Sequence, residues 1–460
     1  MHMKNLLLKT LVLAGLWGSS QCVMADGDDF ESAKEAVKNM KVGWNLGNTL
    51  DSNSGDTLNM WIEKWSSRKT SDYETAWGQP VTKPQLLKMF KEAGFNAIRV
   101  PVTWWPHMEA KFQLDGTAWS PSKDDLGTKI QSAWMKRVHD VVDYVIDAGM
   151  YCILNVHHDT GDGNTCWIRA GEDAYTKNQA QYEAIWKQIA EEFKDYGEQL
   201  VFEGYNEMLD TYGSWCFASF QAPGNYNAAV AKSAYNGINS YAQSFVNTVR
   251  STGGNNMNRN LVVSTYGACC GDGSWSSHLN EPLTQMKLPE DVVDGHLIFE
   301  VHSYPYFETL SSGQSSVRSI ITKLKSNLVS KGAPVIIGEW GSGGGISYSN
   351  QKEDYLKWAQ YFVEQAKAND ICTFYWMGLS DGTARSTPRF NEEDLKDAII
   401  KGYYGEEGYT AISTTKTENP KMDVFSLSGT KLYSGTTLEE VKPKLQRGVY
   451  IVGGKKILIQ

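Results

Sequence analysis

The sequence predicts a (β/α)8 barrel, an α/β fold, with a small β-rich appendage at its C-terminal end. Three observations predict it. From residue 42 onward eight short runs of β-branched or aromatic residues recur, longer segments with helical apolar spacing separate them, and eight parallel strands are the number that closes such a barrel. Near residue 405 the alternation stops and a shorter, different pattern follows.

The strand runs are VGWNLG (42–47), AIRVPVT (97–103), YCILNVHHD (151–159), LVFEGYNEM (200–208), NLVVSTYG (260–267), LIFEVHSY (297–304), PVIIGEWG (334–341) and CTFYWMG (372–378). Between them, Trp134, Val138, Val141, Val142 and Val145 repeat at helical spacing, as do Tyr182, Ile185, Trp186, Ile189 and Phe193. Each set lays one apolar stripe on the sheet. Gly94 and Gly149 stand just before the second and third runs, where a helix end favours a residue tolerant of positive φ. An open doubly wound sheet is the rival arrangement, but it carries a phosphate-binding glycine fingerprint after its first strand, and GWNLGN is not one.

The two ends of the chain read differently. In MHMKNLLLKTLVLAGLWGSSQCVMADGDDF, Lys4 and Lys9 flank leucines, an apolar run reaches Trp17, and Val23-Met24-Ala25 precedes an acidic stretch. This is the pattern of a signal peptide over residues 1–25, cut after Ala25, and it implies a secreted or cell-surface protein. The run is shorter than the roughly 20 residues that span a bilayer, and lipidation at Cys22 is the alternative. The barrel then occupies 26–408, a Ser, Thr and Lys-rich linker 409–417, and a β-rich module 418–460 with the segments MDVFSLSGTKLYSG and RGVYIVGGKKILIQ. That module holds seven basic and four acidic residues, in a chain whose net charge is −9.

An acidic chain with 16 Trp and 23 Tyr suits neither nucleic acid nor an anionic membrane as its main partner. Cys152 and Cys372 lie in strand runs and read as buried thiols. Cys166, Cys216, Cys269 and Cys270 fall in loops, with Cys166–Cys216 a candidate disulfide. No CxxC spacing points to a structural metal.

Barrel active sites form at the C-terminal ends of the strands. Those ends offer Trp44 and Asn45; Arg99; His157, His158 and Asp159; Asn206 and Glu207; Tyr266; His302 and Tyr304; Glu339 and Trp340; and Trp376. Glu207 and Glu339 end the fourth and seventh runs, on opposite sides of a barrel. Two opposed carboxylates are the minimum equipment for glycoside hydrolysis, one donating a proton to the leaving oxygen and one attacking the anomeric carbon. The bland alternative pairs each acid with Arg99 or a histidine for structure alone. A metal centre at His157, His158, Asp159 and His302 is disfavoured, because adjacent strand residues point to opposite faces; neither metal nor cofactor is expected. Glu203 shares a strand face with Glu207 but lies roughly 13 Å deeper at about 3.3 Å per residue. It is expected to be a paired structural acid at the lower end of the barrel.

The motifs GWNLGNTLD (43–51), ETAWG (74–78), AGFNAIRVPVTW (93–104), NVHHD (155–159), Asn206-Glu207, HSY (302–304), GEWG (338–341) and FYW (374–376) together resemble glycoside hydrolase family 5, most closely its subfamily 4 of endo-β-1,4-glucanases. The resemblance spans roughly residues 40 to 380. It implies a retaining, endo-acting hydrolase of β-1,4-glucosidic bonds in cellulose or related β-glucans, working by double displacement. Glu207 then matches the general acid/base and Glu339 the nucleophile, with Arg99, His157, Asn206, His302 and Tyr304 supporting them. Trp44, Asn45, Trp104, His158 and Trp376 are the candidate substrate contacts. Arg99 and Tyr304 would keep Glu339 at a normal or low proton affinity.

Where the family commonly has Pro after the acid/base, this chain has Met208. A xyloglucanase or β-mannanase could use the same pair, and a non-catalytic polysaccharide-binding protein is the alternative from another class. Trp61, Trp65, Trp77, Trp104, Trp105, Trp167, Trp215 and Trp275 all follow the first five strands and are expected to rim the cleft for a long uncharged polysaccharide. A monomer is expected. The last residues resemble the C-terminal sorting domains of the type IX secretion route, which implies recognition by secretion machinery; a small stabilising β module is the alternative.

Overall fold

Period-two alternation of side chains puts half of each strand run inside a barrel and half against the surrounding helices, and the computed structural model is built this way. It describes residues 30–460 apart from 57–59, 109–112, 116–117, 121–126, 418–421, 437, 453–454 and 460. The expected signal peptide lies outside the described residues. All eight runs form strands: β1 Val42–Asn45, β2 Ala97–Val100, β3 Tyr151–Asn155, β4 Leu200–Glu203, β5 Leu261–Cys269, β6 Leu297–Ser303, β7 Val335–Trp340 and β8 Cys372–Tyr375. They pair in parallel and in sequential order into one closed barrel. β2, β3, β4 and β8 stop three to five residues short of the expected C-terminal limits, whereas β5 runs on to Cys269, so several of the predicted site residues stand on the loops just beyond.

The inward positions fall into layers. Ala97, Tyr151, Ile153, Val201, Val262, Ile298, Ile336, Cys372 and Phe374 form an apolar lower core. Helix α1, Ala33–Met40, closes this end with Ala33, Ala36, Val37 and Met40. It starts in a capping box, Ser32 with Glu35, and the Ala33 N–H donates to the Gly295 carbonyl at 2.8 Å. Above the apolar layer, Asn45, Arg99, Asn155, Glu203, Ser264 and Glu300 are all fully buried, so the upper half of the barrel is a polar core. Outside, helices α2 Ser132–Asp147 and α3 Glu172–Glu192 bury the two apolar stripes read from the sequence. Gly94 and Gly149 adopt φ of 107° and 74°.

Strand β7 carries a bulge: Ile337 opposes Val301, yet Glu339 opposes His302. Alternation alone would send Glu339 outward, since Ile336 points in. The extra residue turns its carboxylate into the barrel mouth and lets Trp340 stack on Phe362 outside, with ring centroids 4.3 Å apart.

Residues 409–417, expected to be a linker, are helical: α4, Glu393–Thr417, is interrupted at Gly405 (φ 72°) and continues to Thr417. Tyr409 and Ile412 pack against the main core, which is the apolar contact that a loose linker would lack. Beyond it, β9 Met422–Ser426, β10 Lys431–Thr436, β11 Gly448–Val452 and β12 Lys455–Ile459 form an antiparallel sheet in the order β10-β9-β11-β12. Its own small core is Val424, Val441 and Val452. No helix among the described residues is long and apolar enough to cross a membrane.

Candidate active site

Arg99, the third of the four buried residues of β2, organises the barrel mouth. Its guanidinium has no exposed surface and donates to both oxygens of Glu203 at 2.6 and 2.7 Å, to Asn45 Oδ1 at 3.0 Å, to Asn206 Oδ1 at 2.8 Å and to Glu339 Oε1 at 2.7 Å. Glu300 Oε1 lies 3.3 Å from Arg99 Nε. Burial opposes the charge of Arg99, but Glu203 and Glu300 hold it well above its ordinary value. Burial pushes the Glu203 carboxyl up to about 7 against the pull of Arg99, with Glu300 adding to the rise. Despite its burial, Glu300 is held below the ordinary value by Arg99, His302 and Ser264.

Glu203 is thus a paired structural acid, as the sequence suggests, but not at the lower end. The strand ends at Glu203 and the chain turns, so Glu203 shares one guanidinium with Glu339 rather than lying far beneath the mouth.

Glu207 and Glu339 converge. Together with His302 they offer carboxylate and ring atoms that all lie within 4.8 Å of one another. His302 Nδ1 is 2.8 Å from Glu207 Oε1 and 3.5 Å from Glu339 Oε2, and Tyr304 donates its hydroxyl to Glu339 Oε2 at 2.8 Å. Burial works against the His302 charge, yet Glu339, Glu207 and Glu300 raise its pKa to about 10, which makes it an imidazolium at neutral pH. Burial pushes Glu339 above its ordinary value, although His302 and Arg99 pull it down and Glu207 adds to the rise. The expected normal or low proton affinity of Glu339 is therefore corrected: a carboxylate enclosed beside a second acid loses more from desolvation than its two cationic neighbours return.

His157 is buried and, by desolvation first and the charges of His158, Arg99 and His302 after it, held well below its ordinary value. Asn155 Nδ2 meets its Nδ1 at 3.1 Å while Nε2 faces Glu339 Oε1 at 3.9 Å. A neutral ring accepting from Asn155 turns its one N–H toward Glu339. The ring of Trp376 is partly exposed and lies parallel to His157, with centroids 5.7 Å apart. His158 sits on the cleft wall against Trp77, centroids 5.4 Å apart. Asp159, considered with the histidines as a metal ligand, instead accepts from the Trp104 backbone and from Trp167 Nε1.

Three of the expected substrate contacts are not on the cleft surface. Trp44 and Trp104 have no exposed area. Trp44 stacks on Phe90 with centroids 4.0 Å apart, and Trp104 donates its indole N–H to the Asn155 carbonyl. Asn45 is buried too, holding Arg99 with Oδ1 and the Gly338 carbonyl with Nδ2. Side chains at these strand ends are absorbed by the barrel and its loops, and the two residues after Asn45 and after Trp104 are buried as well. Likewise Trp105 and Trp167 belong to the core. Trp61, Trp65, Trp215 and Trp275 are exposed, and Trp77 and Trp215 line a cavity of about 260 Å³ with His158, Asn206 and Glu207. A second cavity of about 220 Å³, lined by Trp215, Cys269, Leu279, His302 and Tyr304, meets the first at Glu207.

Met208 is buried, and its carbonyl accepts from Gly267 N–H, so the missing Pro leaves the turn after Glu207 held. Asp210 fastens the following loop through the backbone N–H groups of Tyr212, Ser214 and Ser219. All six described cysteines are free thiols, so the candidate Cys166–Cys216 disulfide is not formed; Cys166 donates to the Thr160 carbonyl instead. Sequence reasoning missed Glu300, Asn155 and Ser264 as parts of the site. The signal was present for Glu300, which has the same parity as His302 on β6.

A family model described as "Cellulase (glycosyl hydrolase family 5)" matches residues 59–381. Endoglucanase B of Neocallimastix patriciarum is 34% identical over 391 residues, covering 81% of this chain and 72% of that protein. Endoglucanase A of Clostridium longisporum is 32% identical over 435 residues, covering 87% and 73%. Among solved structures, a "GH5-4 broad specificity endoglucanase from an uncultured bacterium" is 51% identical with a TM-score of 0.74, covering 82% of this chain and 96% of that one. A glycoside hydrolase family 5 enzyme from Prevotella bryantii B14, solved with a xyloglucan tetradecasaccharide, is 36% identical with a TM-score of 0.68, covering 81% and 99%.

Proposed function

The chain belongs to glycosyl hydrolase family 5, and from that premise we propose that Glu339 is the nucleophile and Glu207 the general acid/base of a retaining endo-β-1,4-glucanase. The observation that carries the retaining mechanism is the separation of the two acids: ligand atoms of Glu207 and Glu339 within 4.8 Å leave no room for the water that an inverting enzyme places between carboxyls about 6.5–9.5 Å apart. In the first step Glu339 attacks the anomeric carbon while Glu207 protonates the departing oxygen. In the second, Glu207 takes a proton from water, which displaces Glu339 from the same face that the leaving group left. Arg99 and Tyr304 each donate to one oxygen of Glu339, so its charge is met on both sides. Asn206, fixed by Arg99, holds the sugar's 2-hydroxyl, a contact that tightens in the oxocarbenium-like transition state. Trp376 floors that sugar, and His158, Trp77 and Trp215 flank the chain beyond it.

The substrate is a neutral β-1,4-glucan. Tolerance of branches is favoured by the 36% identical relative that binds xyloglucan, and rates on a cellulose derivative, lichenan, xyloglucan, glucomannan and xylan grade it. With an activated aryl glycoside, Glu339→Ala loses hydrolysis and azide restores turnover as an α-glycosyl azide, whereas Glu207→Ala with azide gives the β product. An α-configured first product from the unaltered enzyme would sink the mechanism.

Residues 1–25 are an export signal and the β9–β12 module is a sorting tail for the type IX route, a reading supported by its SLSG turn after β9, its GVYIV strand and its basic end. In a host with that route, exported protein begins at Asp26 and protein lacking 418–460 stays in the periplasm; equal release of both forms refutes the sorting role.

A further inference from the structure

We propose that Glu300 is a positioning residue for the reaction, acting through His302: its carboxylate occupies the inner side of the imidazole so that the Nδ1–H stays aimed at Glu207. The inference rests on the reading of Glu207 as acid/base. Glu300 and His302 are both inward on β6. Glu300 Oε2 accepts from Ser264 Oγ at 2.6 Å, and its Oε1 faces His302 Nε2 at 3.6 Å and Arg99 Nε at 3.3 Å. The carboxylate fills space that any other residue at Gly338 would need, because a Cβ there would stand 1.6 Å from Oε1. Arg99 already has a bidentate partner in Glu203, so charge balance alone does not call for a second fully buried acid.

What Glu300 adds is a negative charge on the far side of the ring: at 3.6 Å its Oε1 acts on Nε2 as a charge and not as a hydrogen-bond acceptor, and neither atom has another hydrogen-bond partner. His302 meets Glu207 and Glu339 at Nδ1 and Glu300 at Nε2, and the titratable groups around them include Arg99, the neutral His157, Tyr304 and, on the neighbouring strand β5, Cys269. Glu300 itself faces Arg99, Glu203, His302 and Ser264, and Tyr205 feels its charge. A ring with carboxylates on both sides keeps both protons. The Nδ1–H then occupies Glu207 Oε1, and the transferable proton of Glu207 is left on Oε2. A singly protonated ring has one N–H between two carboxylates and can turn a lone pair toward Glu207.

The test uses the whole chain labelled with ¹⁵N-histidine, the His302 signal being identified by its loss in His302→Ala. At pH 8 both ring nitrogens of His302 carry protons in the unaltered enzyme, and in Glu300→Gln only one does. In the same variant the cluster holds its protons less tightly, so the basic limb of the kcat/KM profile moves down by about 1–3 pH units, the range for losing a charge at this distance. A neutral His302 in the unaltered enzyme at pH 8 overturns the proposal without any variant. So does a Glu300→Gln enzyme with an unmoved limb and a doubly protonated ring. Full hydrolysis by Glu207→Ala would instead reject the acid/base reading, a separate result.

Discussion

Arg99 is asked to neutralise more than one group: Glu203 takes two of its N–H bonds, Glu339 one, and Glu300 stands beside its Nε. Removing the guanidinium leaves buried acids uncompensated, and breaking such a pair typically destabilises by about 3–5 kcal/mol. Arg99→Met is therefore expected to lower the unfolding free energy by that amount in urea titration and to abolish hydrolysis even where the protein stays folded. Loss of activity with unchanged stability would show that the acids find other partners. At this scale the sequence was readable where a residue ended a strand run and carried an uncommon group: Arg99, His157, Asn206, Glu207, His302, Tyr304, Glu339 and Trp376 all reach the mouth. Trp44, Asn45 and Trp104 share that signature and are buried, because a strand-end side chain can turn into the barrel or under a loop, and residue type does not distinguish these. Glu300 hides in the middle of its run, where an apolar neighbour on each side disguises it.

Among the elements, β7 and β8 show how volume is traded across the barrel. Phe374 on β8 fills the interior beside its register partner Gly43 on the neighbouring β1, and a Cβ at Gly43 would come within 2.2 Å of its ring. Gly43→Ala should cost about 1–3 kcal/mol through overpacking. Adding Phe374→Leu should recover part of it, giving a double variant less destabilised than the sum in thermal denaturation; strict additivity would mean that the alanine is accommodated elsewhere. The eight strands were legible because β-branched runs alternate with helical stripes at a barrel's spacing. The bulge in β7 had one mark, Gly338 inside the strand run, an isolated glycine of the kind that accompanies bulges, and the bulge decides that Glu339 and not Trp340 faces the mouth. The helical stretch over 409–417 was hidden: its Ser and Thr content reads as a linker, while Tyr409 and Ile412 find partners only in the folded barrel.

For the molecule as a whole, the barrel and the β9–β12 sheet have separate cores. Removal of 418–460 is therefore expected to leave kcat/KM on a soluble β-glucan within about twofold and the main melting transition in place; a large fall in either would tie the module to catalysis. Strand count and order of motifs made the architecture readable from the chain alone, whereas the closure of the barrel floor was not, because α1 is short and looks like any surface helix. That closure has a practical meaning. The segment entering α1 leaves from the end of the barrel opposite Glu207 and Glu339. A tether joined upstream of Ser32 would hold the enzyme by its base, with the cleft turned toward whatever polymer lies in front of it.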